Sequence, residues 1–324
     1  MSRVLVTGGN GYLGTHVIAA LLEQGRQVRA TVRSVESEPE IRQALRRCGA
    51  ADDGLEVLAA DLTSDGGWAT AAAGVEEVHH VASPIPPAQP EDPDELIIPA
   101  REGTLRVIRA AREAGARRVV LTSSFAAVGY SPKPVRDYTE SDWTDPDTPG
   151  LPPYPRSKAI AERAAWDYIE QHPGETELVV LNPTFIIGPT LVTSLRSSLV
   201  AIKAIAEGTM AALPRQRFGV TDVRDVAEAH LKAAATPEAA NKRYLLLADG
   251  PTITWLALAG AIHDHLGAAG AKVTFTEGPG DEPTPLTIRN DRAKQELGWH
   301  PRPLETTIAD TVDSMRELGL LQLQ

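Results

Sequence analysis

The chain has 324 residues, 42% hydrophobic and 23% charged. This excludes disorder and leaves room for one large α/β domain, or for a dinucleotide-binding domain with a smaller lobe. A formal net charge of −11 excludes a general polyanion binder, so any phosphate must be met locally and no nucleic-acid partner is expected. Cys48 is the only cysteine, which excludes an intramolecular disulfide and a cysteine metal cluster, and no run reaches the ~20 apolar residues of a membrane span.

The chain enters Arg3-Val4-Leu5-Val6 at once, with no charged leader, apolar signal region or cleavage site, so a reducing, cytoplasmic location is expected. Residues 3–7 make the first candidate strand, and residues 12–24 carry Leu13, Val17, Ala20 and Leu21 at helical spacing. Gly8, Gly11 and Gly14 stand between and within them, in the context a dinucleotide turn requires. Gly8 permits the tight turn, Gly11 lets the backbone approach a pyrophosphate, and Gly14 allows close helix–strand packing. The helix start then offers free N–H groups to anionic oxygens, with Tyr12 and Leu13 in the same turn.

The second strand spans residues 27–32 and ends at Arg33, with no acid where the adenosine ribose normally lies. An Asp or Glu would bind the 2′-hydroxyl of NAD and repel the extra phosphate of NADP, whereas a guanidinium pairs with that phosphate bidentately. Arg33 is therefore the expected discriminator in favour of NADP(H); the plainer alternative is an exposed strand-end arginine. A helix over residues 39–48 makes Cys48 a passive residue beside Arg46 and Arg47. Residues 55–59 form the third strand, followed by Asp61-Leu62, where Asp61 either meets the adenine edge or caps its own loop. A fourth strand over 77–80 and a helix over 92–114 continue the alternation, which is the signature of parallel β-α-β units and a doubly wound sheet.

The fifth strand, residues 117–123, runs into Ser123-Ser124. Adjacent strand residues face opposite sides, so only one of these hydroxyls reaches the crevice at the carboxyl ends of the strands. Phe125 and Tyr130 beyond them either line an apolar pocket or belong to the core. Residues 131–153 hold Pro132, Pro134, Pro146, Pro149, Pro152 and Pro153, and are expected to form a surface loop with no regular element. The helix that follows, over about 155–170, opens on Tyr154-Pro155-Arg156-Ser157-Lys158. A phenol and an ammonium four residues apart share one helix face, where the cation is expected to draw the phenol from ~10 towards working pH. Pro155 suits only a first turn, so Tyr154 is expected at the helix start. A buried strand over 178–181 ends at Asn182-Pro183, and simple alternation is lost beyond Gly188.

Residues 1–188 are thus expected to form mainly the nucleotide-binding domain, with 218–247 returning to it. Residues 189–217 and 248–324 are expected to form mainly a smaller substrate-binding lobe. No internal repeat is visible, and oligomeric state has no signature in the chain.

Several stretches together resemble the extended short-chain dehydrogenases/reductases, in the group of dihydroflavonol 4-reductases, cinnamoyl-CoA reductases and bacterial aldehyde/ketone reductases. They are Thr7-Gly-Gly-Asn-Gly-Tyr-Leu-Gly14, Ala30-Thr-Val-Arg33, His80-Val-Ala-Ser-Pro84, Leu121-Thr-Ser-Ser124, Tyr154-Pro-Arg-Ser-Lys158 with Ala161-Glu162 and Ala164-Ala-Trp166, and Asn182-Pro-Thr184 through Gly188-Pro189. The resemblance implies a Rossmann-type fold and a catalytic Ser124, Tyr154 and Lys158, selecting Ser124 over Ser123, with Arg33 on the NADP phosphate. It further implies cofactor contacts from Val81, Ala82 and Ser83, and from Pro183, Ile186 and Ser198 around the nicotinamide. The segment Phe218-Gly-Val-Thr-Asp-Val-Arg-Asp225 also resembles a family segment, read as a scaffold strand with Asp225 capping the next helix.

Departures bear on the substrate. Gly129 stands where plant flavonoid reductases generally carry Asn or Asp, and Leu151-Pro-Pro-Tyr-Pro-Arg-Ser-Lys158 replaces the cinnamoyl-CoA reductase stretch Asn-Trp-Tyr-Cys-Tyr-Gly-Lys. Neither plant specificity is carried over. The expected function is NADPH-dependent reduction of a small to medium, largely apolar aldehyde or ketone, reversible to alcohol oxidation. Two alternatives remain open, a nucleotide-sugar epimerase or dehydratase and a non-catalytic NADP-sensing protein. The dehydratase Asp-Glu is missing, since Phe125-Ala126-Ala127 follows Ser124, and an intact Ser-Tyr-Lys set speaks against the sensor. No metal is expected.

Overall fold

Residues 3–84 and 90–323 are described by the structure, a computed structural model. In chain order, the first half runs β1 (Arg3–Thr7), α1 (Tyr12–Glu23), β2 (Gln27–Val32), α2 (Glu38–Arg47), β3 (Leu55–Ala59), α3 (Trp68–Ala72), β4 (Val75–His80), α4 (Asp94–Glu113) and β5 (Arg118–Thr122). It continues through β6 (Asp137–Tyr138), α5 (Pro153–Gln171), β7 (Glu177–Pro183), β8 (Phe185–Ile187), α6 (Ser198–Ala206), β9 (Arg217–Phe218), β10 (Val220–Asp222) and α7 (Val223–Ala235). The chain ends in β11 (Lys242–Leu246), β12 (Ile253–Thr254), α8 (Trp255–Leu266), β13 (Thr287–Ile288), α9 (Asp291–Leu297) and α10 (Leu304–Glu317).

Seven strands form one parallel sheet in the order β11-β7-β5-β4-β1-β2-β3. This is the expected doubly wound, Rossmann-type sheet, and its order reverses between β1 and β4, where such folds open a ligand crevice. Alternation along each strand feeds two cores. Val4, Val6, Val120 and Val179 face one layer with α1 and α7, while Leu5, Val78, Val119 and Val180 face the other with α4. Each such side chain contributes about 1.5–3 kcal/mol on burial. A third cluster, built on Ile202, Leu258, Ile262, Val312 and Met315, forms between α6, α8 and α10.

Three expectations need correction. Residues 218–222 do not rejoin the central sheet: β9 pairs antiparallel with β12, and β10 pairs with β8. Only α7 returns, packing on α1, β5 and β7. Asp222, not Asp225, caps α7, because Asp222 has the extended backbone a cap needs and accepts the Arg224 N–H at 2.8 Å. Asp225 lies one turn inside and instead accepts the backbone N–H of Arg302 at 2.7 Å, with its guanidinium alongside. Finally, the proline-rich stretch is not wholly irregular, since β6 within it pairs in parallel with β13.

The tail of the chain also returns to the sheet. Ala293, Leu297 and Trp299 lie in the same core as Val226 and Tyr244, and the Trp299 indole donates to the Asp225 carbonyl at 2.8 Å. Among the described residues no helix is long and apolar enough to cross a membrane.

Candidate active site

The glycine turn connects β1 to α1 at the reversal of the sheet. Gly8 sits at φ +73°, and a Cβ there would lie 3.0 Å from the Ala82 backbone. At Gly14 a Cβ would fall 2.2 Å from the Gly8 carbonyl oxygen, so only glycine lets the helix start lie this close to the turn. Gly11, the N-cap, has no side chain to satisfy the first N–H groups, and the first turn of α1 carries no acid. That is a cradle an anionic pyrophosphate fits. Leu13 is buried in the core, and the Tyr12 hydroxyl donates to the Gly188 carbonyl at 2.7 Å, which engages it within the scaffold.

Arg33 follows β2 directly, is exposed, and forms no printed hydrogen bond or ion pair. Asp61, after β3, accepts the backbone and hydroxyl hydrogens of Thr63, both at 2.7 Å. Those bonds, with the charges of Arg33 and Arg106, hold its carboxyl below the usual range. Asp61 thus caps its own loop, and Arg33 faces it across the strand ends. Leu62 beside it is half-buried and packs on Gly103 of α4.

The loop after β4 is tied to β1. The Thr7 hydroxyl meets His80 Nδ1 at 2.8 Å and accepts the N–H groups of Val81 at 3.1 Å and Ala82 at 3.0 Å. Those two N–H groups are therefore engaged inside the protein. Ser83, next along, receives a hydrogen bond from Lys158 Nζ at 3.1 Å.

Lys158 lies on α5, whose first turn tolerates Pro153 and Pro155 because its N–H groups need no partner. Tyr154 is accordingly at the helix start. Ser124 ends β5 and hydrogen-bonds with Tyr154, which opposes the burial that raises the phenol above its ordinary value. Here the balance runs against the expected lowering by Lys158: its ammonium stands 5.9 Å from the centre of the Tyr154 ring and hydrogen-bonds to Ser83. The phenol therefore stays protonated near neutrality and is suited to give a proton. Burial lowers Lys158 to about 8, opposed by the charge of Glu162. Ser123 faces away, donating to Glu162 at 2.5 Å.

Ser124, Tyr154, Lys158 and Ser83 thus converge at the carboxyl ends of β4 and β5. Pro183 ends β7 in a buried place, and Ser198 at the start of α6 donates to the Ile186 carbonyl. Phe125 belongs to a core cluster with Tyr138 and Leu247, and its ring fills the space a side chain at Gly129 would take, 2.2 Å from a Cβ there. Tyr130 is 51% exposed, with burial and the nearby Tyr154 raising its phenol.

Comparison with known proteins decides the family, because the model described as "NAD dependent epimerase/dehydratase family" matches residues 4–246. The chain belongs to that family. Membership bears out the resemblance to extended short-chain dehydrogenases/reductases drawn from the motifs. Cinnamoyl-CoA reductase CAD2 of Medicago truncatula is 31% identical over 97% of this chain and 95% of its own. Tetraketide alpha-pyrone reductase 2 of Arabidopsis thaliana is 35% identical over 75% of this chain and 77% of its own. Among solved structures, yeast methylglyoxal/isovaleraldehyde reductase Gre2 complexed with NADPH superposes with a TM-score of 0.83 at 25% identity, over 98% of this chain and 99% of that one.

Sequence reasoning missed two parts of this epimerase/dehydratase family member. One is the buried Glu162, whose spacing four residues after Lys158 was the available signal. The other is a buried histidine pair, His79 Nδ1 and His230 Nδ1 at 3.2 Å, with His230 Nε2 against the Thr122 hydroxyl at 2.8 Å. The partners in both are distant in sequence.

Proposed function

We propose that the chain is an NADPH-dependent reductase of a small to medium, largely apolar aldehyde or ketone, with alcohol oxidation as the reverse, and with Tyr154 as acid/base. The coarser statement stands on the family and its relatives: it is an NAD(P)-dependent oxidoreductase acting on carbonyl groups. The observation that carries the finer reading is a protonated Tyr154 between Ser124 and Lys158 at the strand ends. NADPH would be held by the turn at Gly8, Gly11 and Gly14 and by Arg33, and when bound it supplies a hydride to the carbonyl carbon. Ser124 would hold the carbonyl oxygen, and Tyr154 would give that oxygen its proton. Lys158 would keep a positive charge beside the developing phenolate. The open ring of Tyr130 near Tyr154, and the absence of a polar side chain at Gly129, favour an apolar substrate.

A spectrophotometric screen of NADPH consumption against diverse aldehydes, ketones, acyl-CoA thioesters and UDP-sugars tests this reading. Medium-sized apolar carbonyls should be reduced and the last two classes should not. Efficient turnover of a CoA thioester or a nucleotide sugar would overturn the substrate assignment.

Arg33 gives the cofactor prediction. Its guanidinium is exposed with no acid beside it on β2, so Arg33→Ala should remove a charge-assisted contact worth roughly 1.5–3 kcal/mol, about 10–150-fold in NADPH affinity. NADH binding should hardly change. Fluorescence titration with both nucleotides measures the ratio, and an unchanged ratio removes Arg33 from the site.

A further inference from the structure

Glu162 takes no part in the proposed reaction, yet its carboxylate is buried directly beneath the reacting groups. One oxygen accepts the Ser123 hydroxyl at 2.5 Å and the Asn182 amide at 2.7 Å. The other accepts Arg243 Nε at 2.5 Å and the Trp166 indole at 3.4 Å. The same Asn182 amide also donates to the Ser124 carbonyl at 3.2 Å. Its nitrogen therefore has acceptors on two sides, which fixes its orientation and links β7 to the end of β5.

We propose that Glu162 is a positioning residue of the active site: through Ser123 and Asn182 it fixes the end of β5 that carries Ser124, and it sets one negative charge a helical turn from Lys158. This rests on the reading of Ser124, Tyr154 and Lys158 as the reacting set. Arg243 keeps the carboxylate in place from β11. Its guanidinium lies 3.7 Å from the centre of the Trp143 ring and donates to the carbonyls of Glu140 and Asp142 at 2.8 and 2.9 Å. A buried carboxylate with four donors and a paired cation is well held, whereas one stripped of a partner would be costly. The groups that face Lys158 are Ser83 and His80 from the β4 side and Tyr154 and Glu162 on its own helix. Glu162 is the anion among them, and it opposes the burial that discharges the ammonium.

Two readouts test the proposal, the first on cofactor-free protein. Lysine side-chain NMR titration, with the Lys158 signal assigned by its loss in Lys158→Met, reads the ammonium directly. In Glu162→Gln its midpoint should move down by about one unit or more, a tenfold change in proton affinity. Glu162→Asp keeps the charge and draws the carboxylate back, so the midpoint should stay near wild type. The second readout is kinetic. In Glu162→Asp, kcat for carbonyl reduction should fall roughly 10- to 100-fold through displaced Ser124, with KM for NADPH little changed. If Glu162→Gln does not fold because Arg243 is left unpaired, Glu162→Gln/Arg243→Gln removes both charges and is read in the same way. An unmoved Lys158 midpoint, or Glu162→Asp with wild-type kcat, overturns the proposal. A shifted midpoint in a protein that reduces no carbonyl would instead overturn the proposed function and leave the charge coupling standing.

Discussion

Replacing Tyr154 with phenylalanine should lower the rate of carbonyl reduction by roughly 10²–10⁴-fold, about 3–5 kcal/mol of barrier, while NADPH still binds. The variant removes one hydroxyl from a ring packed at the start of α5, and the glycine turn between β1 and α1 is untouched. Burial keeps the phenol protonated, and the hydrogen bond with Ser124 moderates that effect, so the group enters the reduction as an acid. Lys158→Ala should differ, because Lys158 also binds Ser83 beside the loop tied to Thr7. Its loss should damage both turnover and nucleotide affinity. Fluorescence titration and steady-state rates on the two variants separate these outcomes. Wild-type rates in Tyr154→Phe would remove the tyrosine from the chemistry, and lost NADPH binding in that variant would make its role structural.

Acid should destabilise the fold strongly. His16, His79, His80 and His230 are buried, and burial pushes His16 down to about 4, His79 and His80 down to about 3, and His230 well below its ordinary value. An unfolded histidine titrates near pH ~6.5. Above that value both states are neutral and the histidines have no effect. As pH falls below it, the unfolded chain takes up protons that the folded chain refuses, so stability declines until the folded values are reached. Each such group loses about 1.4 kcal/mol per pH unit. Four of them over two units give on the order of 10 kcal/mol as an upper limit, and half of that already rivals the ~5–15 kcal/mol of a folded protein. Glu140 and Asp225, whose carboxyls burial pushes up, offset part of the loss. Thermal unfolding between about pH 7.5 and 4.5 should show Tm falling by on the order of 10 °C. His16→Gln keeps a donor for the Pro189 carbonyl, which His16 Nε2 meets at 2.8 Å, and should flatten the decline. A Tm constant over this range would refute the account.

The first five strands, the helices between them and the glycine turn were legible because each is a local pattern: alternation, helical spacing, and a turn at the junction of the two. Residues 218–222 were misread because β9 and β10, with two and three residues, are too short to carry a period. Their pairing with β12 and β8 is decided by tertiary packing. Asp222 and Asp225 both precede or open α7, and composition alone does not distinguish the cap from the residue one turn inside. At the site, the Tyr154/Lys158 spacing was readable on one helix. What was not readable is the balance of forces on the phenol, since burial is a property of the whole fold. The alternation rule narrowed Ser123 and Ser124 to one candidate facing the crevice, and the structure turns Ser123 to Glu162, a residue 39 positions away.

The return of α9 and Trp299 to the sheet limits how this protein can be recombined. The family match ends at residue 246, an inviting junction for a chimera that borrows a relative's C-terminal part. Such a splice would exchange more than the α6–α8–α10 cluster. It would also replace Ala293, Leu297 and Trp299 against Val226 and Tyr244, and the Arg302 clasp on Asp225. An interchangeable cassette must leave 291–302 with its parent sheet, which makes the inheritable unit of specificity two separate inserts rather than one terminal block.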